Sequence, residues 1–299
     1  MIRDGIVDSH LHLWKLSEFR YPWLQDCPLP DFRYGKYDAL RHGDFLVDDY
    51  RAASRGWTVE YGVAIEAEWD RRDPVGETRW IASVAESEGF PSAFVAHAVL
   101  DAPDVEKMLS AHASFPIVRG IRHKPVSAEA ARTGRCLMSD RRWMNGYGRL
   151  ANYGFHFELQ TGFEYLNEAR DLAATFPEIP IVLNHAGLPV DRSPDGLEAW
   201  RRAVGSLAEA PQVEVKISGL GGMNGWWECD SHIWVIRELI RLFGADRCMF
   251  GSNYPVDSLC VEYDRMYSCY ATAVEGMSEA DQRKLFRDNA IRFYRLEHS

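Results

Sequence analysis

The sequence predicts a (β/α)8 TIM barrel, in which eight parallel strands alternate with helices. Two observations predict this fold. Short β-rich apolar runs alternate with amphipathic helical segments along the chain, and 299 residues suit eight such units. An open doubly wound sheet would more often carry a glycine-rich phosphate-binding turn after its first strand, and none is present there. We therefore predict one domain over residues 1–299, because no linker or low-complexity tract divides the chain.

The predicted strands are apolar runs that each end at a polar residue or a turn. They are Ile6–His10, Tyr61–Ile65, Ala93–Ala98, Ile117–Ile121, Phe155–Leu159, Ile181–Leu183, Val213–Ile217 and Met249–Gly251. The predicted helices between them carry apolar residues at helical spacing: Asp48–Arg55, Glu77–Ser87, Val105–His112, Arg141–Asn152, Glu164–Phe176, Leu197–Glu209 and His232–Phe243. Two further helices, Glu279–Phe286 and Asn289–Leu296, are expected to cover the edge or bottom of the barrel.

One long irregular segment, from Trp14 to about Val47, is rich in aromatic rings. A connection of this length inside a compact domain is usually functional, and this one follows the first strand, on the face where barrel enzymes hold their sites. We expect it to form a lid or a pocket wall, with Trp14 contacting a substrate. A surface elaboration is the alternative.

Composition excludes several classes of function. The net charge of -10 disfavours nucleic acid as a partner. No apolar run approaches the ~20 residues of a membrane span, and the first residues do not resemble a signal peptide, so we expect a cytoplasmic protein without membrane contact. A homo-oligomer is left open. Six well-separated cysteines lack a C-x-x-C pair and are expected to be reduced thiols: Cys27, Cys136, Cys229, Cys248, Cys260 and Cys269.

Polar side chains cluster just past the predicted strands, where the carboxyl ends of barrel strands present catalytic groups. His10 and His12 are spaced i, i+2, which puts both imidazoles on one face of a strand and suits a borderline-soft metal such as zinc. Some of these side chains could instead be hydrogen-bonded core residues. The full set is His10, His12, Glu66, Glu68, His97, Arg122, His123, Gln160, His185, Lys216 and Asn253. The remaining histidines are expected to be structural or solvent-facing: His42, His112, His156, His232 and His298.

Six stretches along nearly the whole chain resemble the amidohydrolase superfamily of the amidohydrolase-2 type, in its branch of metal-dependent barrel hydrolases that includes sugar-acid lactonases and the pyrone dicarboxylate lactonase. The stretches are VDSHLHLW, RYPWL, GIRHKP, FHFELQ, IVLNHAGLP and MFGSNYPVD, in that order. The resemblance implies that His10 and His12 bind a metal or polarise a carbonyl, together with His185. It also implies that Arg122 and His123 contact the substrate.

The chain departs from the superfamily pattern after the eighth strand. The superfamily usually has an aspartate there that takes a proton from water, whereas this chain has Asn253. A neutral amide accepts no proton near pH 7, so Asn253 is expected to orient water or substrate. Asp257 in the same loop is the simplest replacement base. Glu66 or Glu68, and His97 or His185 in a metal-free site, are the alternatives.

The missing carboxylate leaves two versions of the site open. Three histidines, His10, His12 and His185, could hold one zinc or manganese ion whose bound water has a lowered pKa. A metal-free site could equally polarise a lactone carbonyl through hydrogen bonds, because lactones are activated esters.

The substrate is expected to be a small carboxylate or lactone. Arg122, Lys124 and Lys216 at or near strand ends favour an anionic group, with Gln160 as a further contact. Alternatively, Lys124 is solvated and Lys216 pairs with Glu214 or Glu158. Aromatic rings, including Trp226 and Trp227, could stack on a ring or simply pack.

These features together predict a hydrolase that opens a lactone of a sugar acid or of an aromatic-catabolic acid, by water attack at the barrel mouth. The alternatives are a lyase of the same superfamily, which would decarboxylate or hydrate an unsaturated acid, and a ligand-binding relative that lost its base through Asn253.

Overall fold

The computed structural model describes residues 4–26, 28–29, 32–126 and 136–296. Cys27 and His298, for which predictions were made from the sequence, lie outside these ranges. Eight parallel strands form one sheet in sequence order. They are β1 (Asp4–Leu11), β2 (Thr58–Ile65), β3 (Ala93–His97), β4 (Val118–Arg122), β5 (His156–Leu159), β6 (Ile181–Leu183), β7 (Val213–Ile217) and β8 (Cys248–Phe250). The predicted barrel is confirmed.

The sheet is nearly closed by backbone contacts between the first strand and the loop after the last. The Asn253 N–H donates to the His10 carbonyl at 2.7 Å, and the His12 N–H donates to the Tyr254 carbonyl at the same distance. Leu11 and Tyr254 form a parallel bridge. The closure therefore occurs at the mouth of the barrel, beside the predicted site residues.

Most helices cover the outside of the barrel, whereas Pro22–Gln25 lies in the loop after β1 and Asn289–Tyr294 lies at the bottom of the barrel. The helices are Pro22–Gln25, Val47–Ala53, Gly76–Glu88, Val105–Ala113, Arg141–Gly148, Leu166–Thr175, Pro194–Ala208, Cys229–Phe243, Tyr263–Ala273, Glu279–Arg283 and Asn289–Tyr294, with a π-helical turn at Lys284–Asp288. The helix Tyr263–Ala273 was not predicted from the sequence, and the short helix Pro22–Gln25 lies inside the segment expected to be irregular. Every helix in the described ranges is too short or too polar to cross a bilayer.

The last helix closes the bottom of the barrel. Ala290, Ile291 and Tyr294 pack with interior side chains of the strands, among them Val7 and Val182. The Tyr294 hydroxyl donates to Glu158 Oε1 at 2.7 Å inside the barrel. A tail at this end leaves the opposite mouth as the side from which a substrate can enter.

Two of the cysteines are not reduced thiols, which corrects the expectation from sequence. Cys229 and Cys269 form a disulfide that joins the helices Cys229–Phe243 and Tyr263–Ala273, with their Cα atoms 5.8 Å apart. A sequence separation of 40 residues hides this proximity, because only the packing of the two helices creates it. Free thiols remain at Cys136, Cys248 and Cys260.

Candidate active site

Three histidines meet at the barrel mouth, as their sequence positions predict. His10 and His12 come from the end of β1, and His185 follows β6. The ring centroid of His10 lies 5.1 Å from that of His12 and 4.6 Å from that of His185. All three side chains are buried. His10 is therefore the central ring, with a second imidazole on each side.

Hydrogen bonds orient two of these rings. His12 Nδ1 lies 2.9 Å from the Ile65 carbonyl, which only accepts, so Nδ1 carries the proton and Nε2 keeps a free lone pair. His185 Nδ1 lies 3.0 Å from Ser218 Oγ. Both ring nitrogens of His10 are buried without a hydrogen-bond partner among the described residues. Buried polar atoms of this kind are uncommon and indicate a place for a ligand or water.

Burial keeps the three imidazoles neutral near pH 7. It lowers the pKa of His12 to about 3, with a further contribution from Arg122. Burial also lowers the pKa of His10 and of His185 well below the usual value. The charge of Lys216 adds to this effect at His10, and the charge of Arg33 adds to it at His185. Neutral rings can donate and accept hydrogen bonds, so this cluster can orient a carbonyl or a water.

The loops that hold the site have unusual backbone geometry. Asn253 has φ +56°, and His185, Ala186 and Leu188 also have positive φ. Residues other than glycine rarely adopt this region, and such residues concentrate at functional sites. The turn after β6 therefore fixes the direction of the His185 side chain.

Arg122 at the end of β4 is held by buried partners. Its Nε donates to Glu66 Oε1 at 2.5 Å, and its Nη1 donates to Gln160 Oε1 at 2.9 Å. Nη2 donates to the Glu66 carbonyl oxygen at 2.6 Å. Arg122 and Gln160 thus lie together at the mouth, and the charge of Arg122 is compensated by Glu66.

His123 lies beside Arg122 with a defined tautomer. Its Nδ1 accepts hydrogen bonds from the Trp143 indole N–H at 2.9 Å and from the Leu100 N–H at 3.2 Å. Nε2 therefore carries the proton of the neutral ring and can donate to a ligand. Burial lowers the pKa of His123 to about 3. His97 packs edge-on against it, with ring centroids 5.7 Å apart.

Lys216 and Trp14 lie deeper than their sequence roles suggest. Lys216 Nζ is fully buried 2.9 Å from Glu158 Oε2, as the alternative pairing anticipated. Burial lowers the pKa of Lys216 to about 8, and Glu158 acts in the opposite direction. Trp14 is 1% exposed, and its indole donates to the Gly43 carbonyl at 3.2 Å. Both side chains remain predictions as substrate contacts.

Asp257 is buried beneath the mouth, with its two oxygens in different surroundings. Oδ1 accepts from the Tyr34 hydroxyl at 2.5 Å and from the Asn253 amide at 2.6 Å. Oδ2 is buried without a hydrogen-bond partner in the described part of the chain. Burial raises the pKa of Asp257 to about 6, although Arg33 and the two hydrogen bonds act to lower it. A carboxylate poised near neutral pH with one free oxygen can accept a proton.

The alternative bases from the sequence analysis are less suited to this role. Glu66 is buried and paired with Arg122, which outweighs burial and lowers its pKa. Lys124 Nζ lies 2.5 Å from Glu68 Oε1 and is the main cause of the lowered pKa of that carboxyl. His97 also has a lowered pKa because it is buried. Ion-paired carboxylates are weak proton acceptors, so Asp257 is the strongest candidate.

The described residues do not provide a complete set of ligands for a divalent metal. His12, with Nδ1 bound to a carbonyl and Nε2 free, has the arrangement common among metal-binding histidines. Asn253 stands after β8 at the position where the superfamily usually has a carboxylate. In the described ranges, no three His, Cys, Asp or Glu side chains are grouped so that they could hold an ion. We therefore derive no step through a metal.

Two residues of the loop after β1, Arg33 and Tyr34, reach the site and were not predicted from the sequence. The Arg33 guanidinium donates a short hydrogen bond to the Tyr34 hydroxyl, which in turn donates to Asp257. Arg192, after His185, was also missed and lines a cavity beside it. Arg33 and Arg192 could have been predicted as site residues, because both are basic residues in loops that follow strands. The partnership of Tyr34 with Asp257 had no local signal, because 223 residues separate the two.

The chain belongs to the amidohydrolase family, because the family model described as "Amidohydrolase" matches residues 7–296. A protein of Sinorhizobium fredii described as uncharacterized protein y4mH is 37% identical over 296 residues, covering 98% of this chain and 99% of its own. An L-fucono-1,5-lactonase of Burkholderia multivorans is 27% identical, with 97% of this chain and 96% of that protein covered.

Solved structures share the barrel. An amidohydrolase of Burkholderia multivorans with bound zinc has a TM-score of 0.81 at 24% identity, covering 97% of this chain and 99% of that chain. A protein assigned as a 2-pyrone-4,6-dicarboxylic acid hydrolase of Pseudomonas putida has a TM-score of 0.72 at 20% identity, with 98% of both chains covered. A 2,6-dihydroxybenzoate decarboxylase of Rhizobium has a TM-score of 0.68 at 16% identity, covering 98% of this chain and 99% of that chain.

Proposed function

We propose that this protein hydrolyses a lactone, opening the ring by attack of water at the mouth of the barrel. The observation that carries the proposal is Asp257, whose pKa is about 6 and whose Oδ2 atom has no described hydrogen-bond partner. It lies in the loop after β8, which hydrogen-bonds to the backbone of His10 through Asn253. The similarity to L-fucono-1,5-lactonases supports a cyclic ester as substrate.

Asp257 is the proposed general base. Its Oδ1 atom is held by Tyr34 and Asn253, which fixes the carboxylate and leaves Oδ2 to take a proton from water. General base catalysis of this kind contributes about 100- to 10,000-fold to a rate. Asn253 then acts as a positioning residue, since its amide contacts the base and cannot itself accept the proton.

The imidazoles are proposed to bind the reacting ester. His10 is neutral, so one of its unpartnered nitrogens carries a proton that can be donated to the lactone carbonyl. This hydrogen bond stabilises the negative charge that develops on the carbonyl oxygen as water attacks. His123, with its Nε2 proton, is placed to contact the ring oxygen or another substrate oxygen. When the ring carbon–oxygen bond breaks, the proton held by Asp257 neutralises the alkoxide.

We further propose that the reaction does not depend on a resident metal. Lactones need less electrophilic activation than amides, and the described side chains lack a complete set of metal ligands. The zinc bound in the similar barrel from Burkholderia multivorans makes this a point to be measured. A site that binds one zinc or manganese ion is the alternative to the metal-free site. Measuring the metal content of the purified protein decides between the two.

The test is a substrate panel. Five- and six-membered aldonolactones are followed by acid release with a pH indicator, and 2,6-dihydroxybenzoate is followed by release of carbon dioxide. We expect acid release from at least one lactone and none of the carbon dioxide that a decarboxylase would produce. Decarboxylation without lactone opening would replace the proposal with the lyase alternative. Binding of lactones without turnover would favour the ligand-binding relative.

A further inference from the structure

A cavity of about 430 Å³ lies beside His185, because Gly219 in its wall is in close contact with that imidazole. Its walls come from the loops after β1, β6 and β7, represented by Arg33, Arg192 and Trp226. Apolar surface from Leu188, Pro189 and Leu220 completes it. A cavity of this size accommodates a single substituted ring.

The cations at the floor of the mouth are already neutralised. Arg122 is bonded to Glu66, and Lys216 is paired with Glu158 inside the barrel. Lys124, at the rim, lies 2.5 Å from Glu68. A substrate carboxylate at any of these positions would compete with a carboxylate of the protein.

The two arginines of the cavity differ from these cations. Across the described ranges, no carboxylate forms an ion pair with Arg33 or Arg192. Arg33 is linked to Asp257 by the Tyr34 hydroxyl, and its positive charge also helps to lower the pKa of Asp257. Arg192 and Arg33 are close enough for their charges to interact, so an anion between the two guanidinium groups would be stabilised.

The Arg192 guanidinium has few hydrogen-bond partners among the described residues. Its Nη1 atom is buried without a hydrogen-bond partner among the described residues. Nη2 makes only long contacts of 3.4 Å, to the Leu220 carbonyl and to His232 Nδ1. The guanidinium carbon lies 5.5 Å from the centroid of the Trp226 ring. Burial and the charge of Arg33 lower the pKa of Arg192 to about 10, which leaves it cationic at neutral pH.

Gly219 lines this cavity and lies against both Arg33 and His185. A Cβ atom at this position would lie 2.5 Å from Arg33 Nη2 and 2.5 Å from His185 Nδ1. Gly219 also has φ +59°, which other residues rarely adopt. The Arg33 guanidinium and the His185 imidazole therefore meet over Gly219, so a small ring in the cavity can contact His185 while its carboxylate reaches a guanidinium group.

We propose that the substrate is a lactone that carries a carboxylate, and that Arg192 together with Arg33 binds that carboxylate in the cavity beside His185. The identity of the ring as a lactone rests on the proposed function, whereas the anion pocket stands on the cavity itself. Trp226 packs against the ring, and the lactone carbonyl faces His10. Lactones that bear a hydroxymethyl group in place of the carboxylate should bind less well.

Binding is tested with two rings that water cannot open, tetrahydropyran-2-carboxylate and 2-(hydroxymethyl)tetrahydropyran. Titration calorimetry of the full chain should give an affinity about ten-fold or more higher for the carboxylate. Arg192→Gln should remove most of this preference, and Arg192→Lys should retain part of it. The matched control is Arg202→Gln, because Arg202 is 74% exposed and makes only a 3.9 Å contact with Glu198.

Equal affinity for both rings, or a preference that survives in folded Arg192→Gln protein, would overturn the anion pocket. Folding of each variant is checked by circular dichroism, and the Lys variant keeps the test decisive if the Gln variant is unstable. Hydrolysis is measured separately with D-galactaro-1,4-lactone and D-galactono-1,4-lactone. In Arg192→Gln, KM for the acidic lactone should rise much more than kcat falls. Carboxylate binding without hydrolysis of any lactone would overturn the proposed function and leave the anion pocket standing.

Discussion

The Asn253 amide donates a hydrogen bond to Asp257, with Nδ2 2.6 Å from Oδ1. The residue that replaces the usual superfamily aspartate thus contacts the carboxylate best placed to substitute for it. Four positions separate the two residues, and the loop after β8 folds back so that they meet. The loop after β8 therefore holds a carboxylate that can accept the proton in place of the usual aspartate.

Replacing Asp257 with Asn should reduce kcat by about 100- to 10,000-fold, because the amide cannot accept a proton from water. KM should change little, since the substitution preserves shape. The measurement is steady-state acid release on the lactone found in the panel. Asp171→Asn is the matched control, because the Asp171 side chain is 76% exposed and distant from the loop after β8 in the sequence. Turnover near the native rate in Asp257→Asn would remove Asp257 from the mechanism.

Activity should rise with pH through about 6 and level off above it. Asp257 acts as a base only when ionised, and its pKa is about 6 because it is buried. Tyr34→Phe removes a hydrogen bond that favours the ionised form, so the midpoint of the profile should move to higher pH. We expect kcat at pH 7 to fall by about two- to ten-fold. Tyr153→Phe, which loses a surface contact with Glu106, is the control. A midpoint that does not move would argue against control of this base by Tyr34.

Chelation should leave activity intact. Protein purified without chelator is expected to contain well under one zinc or manganese per chain, because the described ligand set is incomplete. The measurements are elemental analysis and lactone turnover before and after dialysis against a chelator. One tightly bound ion per chain, with activity lost on its removal and restored by its return, would establish the metal-dependent version instead.

Restoring the superfamily carboxylate with Asn253→Asp should lower activity. The substitution removes a hydrogen-bond donor from Asp257 and places a second negative charge beside it, which raises the pKa of the pair. We expect kcat at pH 7 to fall by about ten-fold or more. Asn152→Asp on the exposed surface is the control. A gain of turnover would instead support a protein that had lost its base at this position.

The disulfide should stabilise the fold. Reduction of the bond between Cys229 and Cys269 should lower the free energy of unfolding by about 2–4 kcal/mol, because the crosslink closes a long loop. Denaturant unfolding is compared with and without reductant. Cys229→Ser is the matched control, since its stability should not respond to reductant. Linked peptides around the two cysteines should be found by mass spectrometry under non-reducing conditions, and their absence would contradict the pairing.

Most of the fold could be predicted from the pattern of apolar residues in the sequence. Each predicted strand overlaps an observed one, since strands buried on both faces are continuous apolar runs that the sequence displays directly. The end points differ by up to three residues, as at β2, which begins at Thr58. The helix Tyr263–Ala273 was missed because its buried face is built from tyrosines such as Tyr267 and Tyr270, residues that are typical of strands.

The candidate site was predictable where it is attached to strand ends. His10, His12 and His185 lie together because residues at the carboxyl ends of parallel strands are all placed at the same mouth of the barrel. The hydrogen bond between Tyr34 and Asp257 depends on how a long loop packs, so no spacing in the sequence encodes it. For Lys216, the sequence left Glu158 and Glu214 as alternative partners, and only the folded barrel, in which β5 and β7 both border β6, shows that Glu158 is the partner.

The backbone hydrogen bond from Asn253 to His10 has a consequence for biosynthesis. A growing chain exposes His10 long before the ribosome has added the loop that carries the proposed base. Until the loop after β8 is synthesised and forms its hydrogen bond with the first strand, Asp257 is not held near the imidazoles. Premature termination before β8 would therefore yield a polypeptide with most of its binding groups and no assembled reaction centre.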